Sequence, residues 1–108
     1  MSINQKTPME LLKLFAPEFA QNQMEEKSLI FENEKYQKLP NKYKMLIGIG
    51  VAAALGSDTC TKMWTNMAKQ NGVTNDEIVE AMQVARYMKQ ATVNDTIANS
   101  LEILVENK

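Results

Sequence analysis

The chain has 108 residues, 44% of them hydrophobic and 23% charged, with a formal net charge of −1; this describes one globular domain, residues 1–108, and excludes a disordered or fibrous chain. Lys and Arg are scattered among Asp and Glu, so no basic block marks a nucleic-acid or membrane partner, and the longest apolar run, Met45 to Leu55, is too short to span a bilayer. A single cysteine excludes an intramolecular disulfide and points to a cytoplasmic location. The absence of histidine removes the usual general base, metal ligand and nucleophile activator together.

The N-terminal MSINQKTPMELL lacks the apolar stretch of a signal peptide. Thr7 followed by Pro8 is an N-cap with proline at the first helical position, opening MELLKLF. Pro17 restarts or kinks this segment, and PEFAQNQMEEKSLIFEN continues it, with Phe19, Met24, Leu29 and Ile30 expected to be buried. ENEKYQKLP is a polar connection, and Pro40 opens a helix that runs to Leu55. There Gly48, Gly50, Ala52, Ala53 and Ala54 cost some helix propensity but let neighbouring helices come close. This segment is expected to be the central helix, buried on several sides. A buried strand is the competing assignment for MLIGIGV; Pro40 and the alanines favour the helix.

Gly56 ends that helix, and Ser57 caps the next, which runs to about Gln70 with Gly72 as its C-cap glycine. Thr74 and Glu77 form a capping box that opens NDEIVEAMQVARYMKQ. Ile78, Met82, Ala85 and Met88 share one face of this helix, with Val79 beside them. A last helix is expected from about Asn94, carrying Ile97, Leu101, Leu104 and Val105 at helical spacing. No strand alternation appears, so the fold class is all-α. A chain this short with so much apolar helix surface is expected to form a homo-oligomer.

Three segments, LPNKYKMLI, GSDTCTKMW and NGVTNDEIVEAM, stand in register with the motifs of a known family. They resemble the LP-x-K-x-K-E-L-I opening, the G-C-x-x-C-x-x-x-H motif and the G-x-T-x-x-E-I-x-E-A segment of the carboxymuconolactone decarboxylase and alkylhydroperoxidase D (AhpD-like) family. The N-terminal LLKLFAPEFAQ is similar to the family's first helix. The resemblance implies an AhpD-like helical domain that assembles as a homotrimer or homohexamer, with the active site near a subunit interface. It also implies thiol-dependent peroxide reduction of the peroxiredoxin type, an antioxidant activity, or a lactone decarboxylation without redox chemistry.

The family's working set is a glutamate on the central helix, two cysteines at the start of the next helix and a histidine one turn on. By the resemblance these positions are Met45, Ser57, Cys60 and Trp64, so only the second cysteine is kept. In the family reaction a thiolate attacks peroxide, and the sulfenic acid formed condenses with the neighbouring thiol before a donor reduces the disulfide. Ser57 cannot form that disulfide, and neither Met45 nor Trp64 can relay a proton. Cys60 is therefore the one candidate catalytic residue. Its place in the first turn of a helix favours an anion, whereas Asp58 opposes one. Met63 and Trp64, one turn along, are expected to bury the thiol and leave it weakly reactive.

Other constellations carry less. Met63, Met67, Met82 and Met88 at helical spacing are expected to be core and not metal ligands. Glu32, Glu34 and Glu80 are expected to be solvated helix faces, with Glu77 in its capping box, and Lys42 and Lys44 to be exposed. Gly48 and Gly50 lie inside an apolar run and form no phosphate loop. No metal or cofactor is implied. Two functions remain: a diminished thiol enzyme acting through Cys60, or a non-catalytic member that binds a small apolar ligand or serves as an oligomeric scaffold.

Overall fold

The computed structural model of the protein describes residues 6–107. All regular structure among them is helical: α1 (Pro8–Phe15), α2 (Pro17–Phe31), a 3-10 turn (Glu34–Tyr36), α3 (Asn41–Ala54), α4 (Asp58–Gln70) and α5 (Asn75–Glu106). The strand considered for MLIGIGV does not form; those residues lie in the middle of α3. The described residues divide into two compact units, one ending at Asn41 and the other beginning at Lys42.

In the first unit, Thr7 Oγ1 accepts from the Glu10 backbone N–H at 3.1 Å and Pro8 opens α1. Ala16 breaks the helix and Pro17 starts α2, so the proline restarts the chain instead of kinking it. The two helices pack on each other, and Ala20 is buried. Phe19, Met24, Leu29 and Ile30 were expected in the core but stand exposed, Phe19 by 70%. The physical reason lies in α2, whose apolar residues are spread round its circumference among charged ones. A single neighbouring helix can cover only one narrow face of it.

In the second unit the core is made by Met45, Ile49 and Ala52 of α3, Ala68 of α4, Val73 of the following turn and Ile78 of α5. Residues 45, 49 and 52 follow one face of α3 at helical spacing. Gly56, at φ +76°, and Gly72, at φ +82°, reverse the chain after α3 and α4 in the left-handed conformation that glycine adopts without strain. Thr74 and Glu77 form the reciprocal capping box of α5.

The break near Asn94 does not occur, and α5 is one helix of 32 residues. QATVNDTIANS contains neither glycine nor proline, and its two threonines find partners inside the helix. Thr92 Oγ1 donates to the Lys89 carbonyl at 2.6 Å and Thr96 Oγ1 to the Thr92 carbonyl at 3.0 Å. Along the face proposed for its first half, Ile78 is buried and Met82 and Ala85 are half-buried, but Val79 and Met88 are exposed. Ile97, Leu101, Leu104 and Val105 are exposed as well. Among the described residues no helix is long and apolar enough to cross a membrane.

Candidate functional site

The turn from α3 into α4 builds the neighbourhood of Cys60. The Ser57 backbone N–H donates to the Ala52 carbonyl at 2.9 Å, closing the end of α3. Ser57 Oγ then accepts from the Cys60 backbone N–H at 3.3 Å, which makes Ser57 the N-cap of α4. Thr61 Oγ1 donates to the Ser57 carbonyl at 2.7 Å. Ser57 is thus bonded through its amide, its carbonyl and its hydroxyl. Its side chain acts on the backbone of the Cys60 residue and not on the thiol.

Cys60 itself is exposed, which corrects the expectation of a buried thiol. The expected cover lies elsewhere. Met63 is 46% exposed, and the Trp64 ring faces α3. A methyl group placed on Gly48 would stand 3.6 Å from Trp64 Cδ2 and 3.7 Å from Cγ, so ring and glycine are in van der Waals reach. Gly48 and Trp64 stand equally far from Gly56 along the chain, the relation of the two arms of a helical hairpin. One turn from Gly48 on α3, Met45 is buried. On α4, Cys60 lies one turn before Trp64, at the turn end of the hairpin, while Met45 lies on the far side of the Gly48–Trp64 contact. The glycine-rich face of α3 therefore receives Trp64 on one side. On another side Gly50 approaches Ala85 and the Ala81 carbonyl of α5.

The remaining methionines divide. Met67 and Met82 are half-buried, but Met63 and Met88, expected as core, are exposed. Lys42 is exposed as expected, whereas Lys44 is half-buried. Glu32, Glu34 and Glu80 are exposed.

Glu77 does more than its capping pattern indicates. Its carboxylate accepts from the Thr74 backbone N–H at 3.0 Å and is ion-paired with Lys42, tying the start of α5 to the start of α3. The Lys42 ammonium, and after it the Thr74 N–H, hold the Glu77 carboxyl down at about 2 from an ordinary 4.5. Lys42 is raised in turn, chiefly by its hydrogen bond to Glu77. Most of α3 and all of α4 separate these residues in sequence, so no local spacing links them. Among the described residues no group of three or more His, Cys, Asp or Glu could hold a metal ion.

An open groove of about 530 Å³ lies elsewhere in this unit, where the last turn of α3 meets the middle of α5. It is lined by Ala53 and Ala54 from α3 and by residues between Gln83 and Val93 of α5; Met45, Ser57, Cys60 and Trp64 are not among its walls. The two cations of its lining, Arg86 and Lys89, belong to no motif of the sequence, and only their spacing of three on a helix places them together.

No curated protein and no solved structure matches the chain. The model of the carboxymuconolactone decarboxylase family matches residues 17–98. That span runs from the start of α2 far into α5 and contains Met45, Ser57, Cys60 and Trp64, while α1 lies ahead of it. With three quarters of its length so matched, the chain belongs to the carboxymuconolactone decarboxylase family.

Proposed function

We propose that this protein retains the family's thiol-dependent peroxide reduction weakly or not at all, and that any such activity runs through Cys60 alone. The observation that carries this reading is the Ser57 cap. The residue in the place of the family's first cysteine presents an oxygen, and that oxygen accepts from the Cys60 backbone N–H. No internal disulfide can follow oxidation of Cys60. At the position implied for the histidine, Trp64 packs on Gly48; at that of the glutamate, Met45 is buried. Each has a structural task, and neither can carry a proton.

The chemistry left to an exposed thiol is a one-cysteine cycle. The Cys60 thiolate attacks one peroxide oxygen, the O–O bond breaks, and an alcohol or water leaves as the sulfur becomes sulfenic acid. An outside thiol condenses with it, releasing water and leaving a mixed disulfide. A second outside thiol then frees Cys60 and departs as an oxidised disulfide. The test is peroxide consumption by the protein and by Cys60→Ser with several monothiol and dithiol reductants. Slow or absent turnover is expected. Rapid Cys60-dependent turnover with a dithiol reductant would refute the reading.

A second reading, a non-catalytic homotrimer or homohexamer that serves as scaffold or binds a small apolar ligand, is favoured by the surface. Leu14, Phe15, Phe19, Leu104 and Val105 are each more than 60% exposed in the single chain, and large apolar side chains left in water are what an interface would cover. Light scattering that gave the mass of one chain at micromolar concentration would count against it.

A further inference from the structure

We propose that the groove between the end of α3 and the middle of α5 binds a small organic anion, a carboxylate carried on a flat apolar body. The site lies apart from Cys60 and stands independently of the thiol reading.

The groove follows from side-chain sizes. Gly50 lets α3 close on α5, since a methyl at Gly50 would lie 3.8 Å from Ala85 Cβ and 3.9 Å from the Ala81 carbonyl oxygen. One turn further along α3 come Ala53 and Ala54, too short to fill the space beside the longer side chains of α5. About 530 Å³ is left open, the lower part of the range found for small-molecule sites. Ala53, Ala54, Ala85 and Val93 supply apolar walls.

Charge selects the ligand. Arg86 and Lys89 line the groove and no carboxylate does. Arg86 Nη1 donates to Gln83 Oε1 at 2.7 Å, which orients the guanidinium while leaving its other donors for a ligand. Gln83 is one turn before Arg86 and Gln90 one turn after it, and both amides line the same groove. A planar guanidinium takes a carboxylate through two parallel hydrogen bonds, and a lysine one turn away adds a point charge. Tyr87, also in the lining, offers a ring for an aromatic body. Two cations and short apolar walls in one lining match a ligand with one anionic group and one flat apolar body.

The test uses the whole protein and three probes: 1-naphthoate, which has both features, inorganic phosphate, which has only charge, and naphthalene methanol, which has only the ring. Titration is followed by calorimetry and by chemical shifts of the α5 amides. Saturable binding of naphthoate in the millimolar range or tighter is expected, with shifts centred on residues 83–93. Phosphate and the alcohol should each bind at least about tenfold more weakly. Arg86→Gln with Lys89→Gln should weaken naphthoate by about tenfold or more, with the circular dichroism of the protein unchanged. Ala54→Leu, which fills the groove without touching charge, should do the same. The proposal is overturned by no saturable binding, by binding that both variants leave intact, or by phosphate binding as tightly as naphthoate. It is equally overturned if the groove proves to be covered by a second copy, seen as a fall in oligomer mass in the double variant without any ligand binding to the parent protein.

Discussion

The contact between Gly48 and Trp64 gives the sharpest test of the hairpin that positions Cys60. Consider Gly48→Ala. The residue lies in the helical backbone of α3, and only Gly56 and Gly72 among the described residues have positive φ. Alanine can therefore take up the conformation without strain. Its methyl would stand 3.6 Å from Trp64 Cδ2 and 3.9 Å from Cδ1, at ordinary packing distance, so nothing has to move. Replacing glycine inside a helix gains about 1 kcal/mol, mainly by restricting the unfolded chain. Covering one methyl with the indole adds up to about 0.8 kcal/mol. The expected net stabilisation is about 1–1.5 kcal/mol.

With a slope of about 1–3 kcal/mol per molar urea, that gain raises the unfolding midpoint by about 0.3–1.5 M. Trp64 is the only tryptophan in the chain, so its fluorescence reports unfolding at the contact itself, with circular dichroism as a second probe. Gly48→Val is the companion variant. Its additional methyl groups would press into the ring, and overpacking of this kind costs about 1–3 kcal/mol, so its midpoint should fall. The reasoning is refuted if alanine lowers the midpoint, or if valine raises it as much as alanine does. Either result would mean that α3 does not meet Trp64 at Gly48.

Four further outcomes are expected. Glu77 titrates at about 2 in the folded protein against an ordinary 4.5, so its pairing stabilises the fold above pH 4.5, and that contribution is lost as the pH falls towards 2. Glu77→Gln should therefore lower the urea midpoint near neutral pH and converge with the parent protein near pH 2; a gap unchanged across that window would refute the pairing. Ser57→Ala should cost about 1 kcal/mol through loss of the α4 cap, read from the same fluorescence curve, whereas no loss would remove the structural role assigned to Ser57. Ile49→Ala, at a fully buried position, should cost about 2–5 kcal/mol; a smaller effect would show that the α3 core is loose. Finally, Cys60 should react fully with an aromatic disulfide reagent in the native protein without denaturant, and protection released only by urea would show that the thiol is covered in solution.

The parts of the fold that were legible in the sequence are those decided within a few residues. Thr7 with Pro8, Ser57, Gly72, and Thr74 with Glu77 each act on backbone groups no more than four positions away, and each does in the structure what its position indicates. The supposed break at Asn94 shows the limit of such signals. Asparagine, aspartate and threonine favour caps because they can bond their own backbone, yet in α5 Thr92 and Thr96 direct that capacity back into the helix. Without a glycine or proline to stop it, the helix continues. Burial was harder to read, because an apolar residue in a short helix is buried only if another element reaches it. Phe19 and Met88 have the right side chain but are left mostly uncovered within the single chain.

At the candidate site the same distinction between local and distant effects decides the state of the thiol. Cys60 and Trp64 are one turn apart, and proximity along one helix suggested that the indole would shield the sulfur. A side chain as large as tryptophan, however, goes where it can bury most surface. Gly48, which has no side chain, offers a flat backbone surface on α3. The indole takes that surface, and Cys60 stays exposed. The residue at the position implied for the histidine thus reinforces the hairpin without covering the remaining thiol, and Ser57 secures the same hairpin through its cap. Cys60 is the only cysteine of the chain, so its sulfur has no internal disulfide partner, yet it stands open to partners from outside the chain. For that reason, comparing Cys60→Ser with the unmodified protein is informative even if Ser57 and Trp64 are found to serve packing alone.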